Sequence, residues 1–342
     1  MIILGIETSC DETSVGIVEK KGDQLVLKSN IVATSLQIHS QNGGIIPELA
    51  AREQVKYMIP VLEQALSQIP NSKFQIPKID AIAVTFGPGL IGSLLVGIET
   101  AKTLSILWNK PLVPVNHMLG HVYANWLFQQ PQTSILKPQF PALILVVSGG
   151  HTDLLLMKAH GDYEVIGGTR DDAAGEAFDK IARLIGLPYP GGPAIQKAAE
   201  KGNPKAIHFP RPLIGEKSYD FSFSGLKTAV YRHVSTIKEF NNLTICDLAA
   251  SAQAAIIDVL VKKTIRAAEK YDVKSILLSG GVASNDLLRN QFSVYCSLSN
   301  VMLFAPQKAF CTDNGAMVAA AAAFNYHPIP WQEVTVNPQL YY

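Results

Sequence analysis

Apolar positions along this chain fall into two kinds of run. Short runs rich in β-branched residues and bounded by Gly, Pro or polar clusters predict buried strands at 2–6, 15–18, 81–85, 112–115, 142–147, 154–157 and 275–279. Longer stretches with apolar residues three and four apart predict helices from Glu48 onward, over 90–107, from about Asp171, from about Asp286 and over 316–324. Phe178, Ile181, Ala182 and Ile185 form the apolar stripe of the third of these. Gly92 and Gly97 lie inside the second. A helical glycine costs about 1 kcal/mol against alanine, so close packing on another helix, possible on a partner chain, is expected there.

The pattern repeats. A strand, a polar turn and a second strand open the chain, and the same order returns at 142–157 around Ser148-Gly149-Gly150-His151-Thr152. This predicts a duplicated α/β architecture with a ligand cleft between two lobes. The Pro- and Gln-rich segment 129–139 is the expected crossover. The expected lobes are 1–133 and 134–315, with the C-terminal helix and tail 316–342 packing back on the first.

Composition narrows the class. The 342 residues are 48% hydrophobic and 17% charged, with a formal net charge of +1, so no global field draws the protein to nucleic acid or membrane. Cys10, Cys246, Cys296 and Cys311 are scattered, which argues against a cysteine zinc site or a disulfide framework. No signal-peptide pattern is recognised and no run approaches the roughly 18 apolar residues of a membrane span. The expectation is a soluble cytoplasmic protein without membrane association.

Candidate chemistry lies mainly in the turns. His117 and His121 are four apart after Asn116, a plausible cap. On a helix both imidazoles share one face and can clamp a transition metal, although chance spacing gives the same pattern. Asp313 either caps the last helix or is a third ligand, in a His-His-Asp set suited to Fe(II) or Zn(II). The turn after the first strand carries Glu7, Thr8, Ser9, Asp11, Glu12 and Thr13, either as a solvated tip or as a loop aimed at phosphate or metal. His39 and Glu48 are weaker candidates. Strand, Gly280-Gly281 turn and helix suit the approach of backbone N–H groups to a nucleotide, without a Walker or GxGxxG pattern. Arg211, Lys217 and Lys227 among Tyr219, Phe221 and Phe223 suit either RNA contacts or a packed segment.

Ten ordered blocks carry a family resemblance: ETSCDET (7–13), PELAAR (47–52), GPGLIGSLLVG (87–97), NHMLGH (116–121), VSGGHT (147–152), DDAAGEAFDK (171–180), YPGGP (189–193), FSFSGLKT (221–228), SGGVASN (279–285) and CTDNGAM (311–317). Together they resemble the TsaD/Gcp family of tRNA threonylcarbamoyladenosine transferases. The resemblance implies an actin-like, Hsp70-like two-lobe fold. It also implies transfer of threonylcarbamoyl from threonylcarbamoyl-AMP to the N6 amine of the adenosine just 3′ of the anticodon, in tRNAs reading codons that begin with A. One divalent metal, Fe(II) or Zn(II), is implied on His117, His121 and Asp313. Adenylate contacts are implied at Val146, Val147, Ser148, Gly149, Gly150, Asp179, Gly192 and Asn285. Some relatives carry an aspartate where this chain has Gln196. A TsaB-like paralogue and a TsaE-like ATPase are the implied partners, with 90–107 contributing to the first interface. Glu12, or another carboxylate of its hairpin, is the candidate proton acceptor. A metalloendopeptidase is disfavoured because Met118 stands where HExxH needs glutamate. A small-molecule kinase of the same fold has no evident need of the histidine pair, and a scaffold that had lost its chemistry would be expected to lose the ligands.

Overall fold

A computed structural model describes residues 1–41, 44–69, 78–128, 137–237 and 241–342. Residues 129–136 of the expected crossover, and Gly43, lie outside them. The chain groups into two compact units, one of Met1–Lys137 with Pro306–Tyr342, the other of Pro138–Ala305. Residues 306–315, Asp313 among them, therefore group with the first unit.

The first unit is built on a five-stranded sheet. β1 (Ile2–Glu7) and β2 (Glu12–Lys21) form the expected hairpin, and β3 (Gln24–Thr34) extends it antiparallel. β4 (Ala81–Gly87) and β5 (Leu112–Asn116) add parallel strands, giving the order β3-β2-β1-β4-β5. After the short α1 (Leu36–Gln41), α2 (Pro47–Ser67) and α3 (Ile91–Trp108) bury Met58, Val61, Leu94, Ile98 and Ala101 against Leu4, Ile6, Val15, Ile17 and Val84. α4 (His117–Tyr123) follows β5 directly. The packing reason for the α3 glycines lies within this unit. A Cβ on Gly97 would fall 2.3 Å from Thr8 Oγ1, and one on Gly92 would touch Ala51 of α2.

The second unit repeats this plan. β6 (Ala142–Val147), β7 (Thr152–Ala159) and β8 (Asp162–Gly168) form an antiparallel meander. The helices are α5 (Ala174–Leu184), α6 (Gly191–Ala199), α7 (Ser224–Val234) and α8 (Asn242–Lys270). β9 (Ser275–Ser279) then pairs parallel with β6, and after α9 (Asp286–Ser297) the short β10 (Met302–Phe304) pairs parallel with β9. The order β10-β9-β6-β7-β8 is that of the first sheet, strand for strand. The two hairpins seen in sequence are thus the visible part of a complete duplication. β3 and β8 were missed because their alternation is weak: each is an edge strand with only partial burial.

α10 (Gly315–Phe324) returns the chain to the first unit, lying over β1 and β2. Its C-terminal carbonyls are held by Lys20, whose Nζ donates to Ala323 O at 2.7 Å and sits 4.7 Å from the Phe324 ring centroid.

Two helices overturn the expectation that no run approaches a membrane-spanning length. α3 and α8 have mean hydropathies of 1.3 and 1.6 over 18-residue windows, of which 39% and 67% are buried. α8 is a core helix, apolar because it is packed on most sides within its unit. α3 buries one face and exposes Ile91, Leu95, Ile106 and Leu107. The aromatic segment also resolves. Phe221 and Phe223 are fully buried and stacked on each other, and Arg211 is paired with Asp258 at 2.8 Å. Those groups are packing elements, not a surface for RNA.

Candidate metal centre and nucleotide turns

Asn116 decides where α4 begins. Its Oδ1 accepts from Met118 N at 2.8 Å and Leu119 N at 3.4 Å, an N-cap that starts the helix at His117. His117 and His121 consequently stand one turn apart on one face, buried, with ring centroids 4.7 Å apart. Asp313 does not cap α10. That task falls to Asn314, whose Oδ1 accepts from Met317 N at 2.9 Å. The Asp313 carboxylate instead faces the imidazoles, with Oδ1 3.1 Å from His121 Nε2 and 3.6 Å from His117 Nε2.

The three residues fit a metal ion. One ligand atom from each lies within 4.8 Å of the others, and ligand bonds of about 2.1 Å would set donors about 3 to 4 Å apart. Two imidazoles and one carboxylate leave positions open, as in a reactive divalent transition-metal site. His121 Nδ1 is buried without a hydrogen-bond partner among the described residues, which leaves its outer shell less complete than that of His117.

His117 is oriented by one of the six polar residues that the sequence places in the first turn. Glu7, at the end of β1, is fully buried. Its Oε1 accepts from Ser9 N at 2.6 Å, and its Oε2 accepts from Thr85 Oγ1 at 2.6 Å and from His117 Nδ1 at 3.1 Å. Ser9 Oγ is also 3.1 Å from His117 Nδ1. An ionised carboxylate only accepts, so it keeps the proton on Nδ1 and turns Nε2 toward Asp313. Burial alone would lower the basicity of His117, but Glu7 and Asp313 outweigh it and raise its pKa to about 9. Burial opposes ionisation of Asp313 too, yet the two histidines hold it down at about 2. The site is thus a tightly paired array in which a metal would displace a proton. Replacing Glu7 by glutamine, which keeps an acceptor but removes the charge, is expected to weaken metal binding about 10- to 100-fold in chelator competition. An unchanged affinity would mean that Glu7 only fills space.

The hairpin loop between β1 and β2 is clamped from α2. Gln54 is fully buried, and its Nε2 approaches Thr8 O, Cys10 O and Glu12 O at 3.3, 3.0 and 2.9 Å. Burial first, then Asp313 and Asp11, push the Glu12 carboxyl well above the usual range. Burial and the same acidic neighbours push the Cys10 thiol up as well, which makes it a poor nucleophile. His39 is buried with Nδ1 accepting from Ile46 N at 3.3 Å, and Glu48 is exposed and paired with Arg52. Neither belongs to the ligand group.

In the second unit the glycine turns lie at the C-terminal ends of the parallel pair β6 and β9, the position where open α/β sheets bind ligands. Val146 and Val147 are buried strand residues leading into the turn, while Gly149 and Gly150 are exposed and a Cβ on either would meet nothing. Ser148 closes the turn by accepting from His151 N on Oγ at 3.1 Å, and its carbonyl accepts from Gly175 N at 3.1 Å. α5 therefore starts against this turn. The second turn leaves β9 through Gly280, at φ 86°, where a Cβ would fall 2.4 Å from Val147 O. Asn285 is occupied as the N-cap of α9: its Oδ1 accepts from Leu288 N at 3.1 Å and its Nδ2 donates to Gln253 Oε1 at 2.9 Å. Asp179 Oδ1 accepts from Gly191 N at 2.6 Å, fastening α5 to the start of α6, while burial raises its carboxyl. An added Cβ on Gly192 would meet nothing. Gln196 makes a reciprocal pair with Asp286, Nε2 donating to Oδ2 at 3.1 Å and Oε1 accepting from Asp286 N at 2.9 Å.

Known proteins resemble this chain in sequence and in fold. The family model described as "TsaD: tRNA N6-adenosine threonylcarbamoyltransferase" matches residues 26–320. A tRNA N6-adenosine threonylcarbamoyltransferase of Thermomicrobium roseum is 50% identical, covering 95% of this chain and 92% of its own. One of Anoxybacillus flavithermus is 50% identical, covering 99% and 97%. Among solved structures, HypF of T. kodakarensis superposes with a TM-score of 0.60 at 14% identity, over 95% of this chain and 47% of its own. The activator of the 2-hydroxyisocaproyl-CoA dehydratase from Clostridium difficile, solved with bound ADPNP, gives 0.51 at 14% identity and 95% of both chains. At such low identity these two show the fold alone, the duplicated α/β class of actin and Hsp70. Sequence identity over nearly the full length carries the rest: the chain belongs to the TsaD family of tRNA N6-adenosine threonylcarbamoyltransferases.

Proposed function

We propose that this acyltransferase takes threonylcarbamoyl from threonylcarbamoyl-AMP and delivers it to the N6 amine of the adenosine just 3′ of the anticodon, in tRNAs that read codons beginning with A. His117, His121 and Asp313 would hold one divalent ion, Fe(II) in preference to Zn(II). The observation that carries this reading is the convergence of two imidazole nitrogens and one carboxylate within 4.8 Å. When bound there, such an ion supplies Lewis acidity toward an acyl oxygen.

The donor is an activated mixed anhydride, so the protein needs positioning and charge placement more than a covalent nucleophile. The N6 nitrogen attacks the carbamoyl carbon, the bond from that carbon to the phosphate oxygen breaks, and AMP leaves. The proton lost from N6 goes to a carboxylate, for which Glu12 is the candidate. Burial, Asp313 and Asp11 raise the proton affinity of that carboxylate. In the second unit the open backbone of Gly149 and Gly150 suits the adenylate phosphate. Val146, Val147 and Ser148 set the path of that turn, and the space at Gly192 suits the nucleoside. Asp179 accepts from Gly191 N on Oδ1, and its carboxylate would also accept from a ribose hydroxyl. The side chain of Asn285 is already engaged, so its contribution is to hold the backbone of the second turn. A TsaB-like paralogue and a TsaE-like ATPase are the proposed protein partners. The exposed apolar residues of α3 support a docking face for the first.

The test supplies threonylcarbamoyl-AMP and unmodified tRNA, with Fe(II) under anaerobic conditions or with Zn(II), and with or without the two partners. Threonylcarbamoyladenosine detected by nucleoside mass spectrometry is the expected product. Its absence in every combination would sink the reading.

A further inference from the structure

We propose that the groove between α5 and α7 is a contact site for the tRNA substrate, where Tyr231 stacks on an unpaired base and Arg183 and Lys227 take the flanking phosphates. The inference rests on the tRNA reading above. The groove encloses about 310 Å³ and is lined by Lys180, Arg183, Leu184, Lys227, Thr228 and Tyr231. Three of the six are cations and none is acidic.

Lys180 is bound to Asp172 and Glu176 at 2.8 and 2.7 Å, and Lys227 stands 3.4 Å from the same Asp172, so the two lysines are matched by two carboxylates and the surplus charge of the groove is that of Arg183. Arg183 is exposed and has no ion pair among the described residues. Its place in the last turn of α5 favours a cation there in any case, but does not account for an aromatic ring across the groove. Tyr231 is 58% exposed, a large ring left in solvent beside three cations. An aromatic face flanked by lysine and arginine is the chemistry of single-stranded RNA contact. With a net charge of only +1, the chain has no general attraction for RNA and must rely on such local patches.

The location also suits an acceptor RNA. α5 begins against the Ser148–Gly150 turn proposed for the adenylate, through Gly175 N and Ser148 O at 3.1 Å. Arg183 lies eight residues further along the same helix, about 12 Å at 1.5 Å per residue. A nucleotide loop with one base at the donor could reach the groove with a neighbour.

The experiment measures tRNA affinity of the full chain, with its partners, at several salt concentrations. Tyr231→Ala and Arg183→Glu are each expected to weaken binding at least fivefold, since base stacking is worth about 1 to 3 kcal/mol. Arg183→Ala should lower the slope of log affinity against log salt by about 1, and Tyr231→Trp should retain affinity. Thermal unfolding of each variant controls for folding. Wild-type affinity in Tyr231→Ala, with or without an effect at Arg183, overturns the stacking site. Wild-type protein that never modifies tRNA would instead sink the parent reading, and the two failures are distinguishable.

Discussion

Asp313→Ala will lose stoichiometric metal binding, and transfer will fall at least a hundredfold while the fold persists. Asp313 is the only anionic member of the group, so its loss leaves two imidazoles with no charge to offset a dication. The helix it precedes does not depend on it, because Asn314 supplies the cap. The His117–Glu7 pair also survives, since it lies on the other ring nitrogen. Metal content by elemental analysis, affinity by chelator competition and nucleoside yield should fall together, with the unfolding midpoint of the metal-free protein as the control. Wild-type transfer from a variant that holds no metal would remove the metal from the reaction.

Gly315→Ala should be strongly destabilising. α10 meets the sheet backbone to backbone. A Cβ on Gly315 would fall 2.2 Å from Gly16 N and 2.6 Å from Gly5 O, and one on Gly16 would fall 2.1 Å from Ala316 N. No side chain is available to rotate away, so the helix itself must move. Overpacking of this kind costs about 3 kcal/mol, the upper end of the usual range. Trp108, Trp126 and Trp331 all lie in the first unit, so tryptophan fluorescence during denaturation reports on that unit directly. Because Asp313 is two residues upstream, metal affinity should drop as well. Gly215→Ala, where an added methyl meets nothing within 4 Å, is the neutral comparison in calorimetry. An unchanged denaturation midpoint for Gly315→Ala would refute the close-packing account.

The remaining effects are smaller because they act through intermediaries. Glu7 reaches a metal only through His117, and the α5–α7 groove would supply one part of a larger RNA contact.

How much of this was legible without coordinates depends on the range of the forces involved. The strands of both hairpins, the parallel strands β4, β5 and β9, and helices α2, α3, α5, α9 and α10 are written in local periodicity, whereas α6, α7, α8 and β10 were not read from it. Burial on one face of a strand or helix leaves a mark every second, or every third and fourth, residue. The paired histidines could be read for the same reason: one turn of helix brings them together, and Asn116 announces the turn. Ten ordered motif blocks were enough to indicate the family, and that resemblance implies Asp313 as a third ligand.

Tertiary packing decided the rest. Whether Asp313 caps α10 or faces a ligand site was undetermined locally, and only the imidazoles across from it, with Asn314 taking the cap, settle its place. Glu7 looked like one acid among several in a polar turn until β4 and α4 placed Thr85 and His117 against it. Gln54 carries no sequence signal, since its three partners are backbone carbonyls, which every residue has. Phe221 and Phe223 read equally well as surface or core residues until burial settled them. Sequence by itself determined the central strands, five of the helices, the paired hairpins and the one-turn spacing of the histidines, because those follow from interactions between near neighbours. What surrounds the clamp was set only when strands distant in sequence closed into one sheet, because desolvation and hydrogen-bond partnership are properties of that closure.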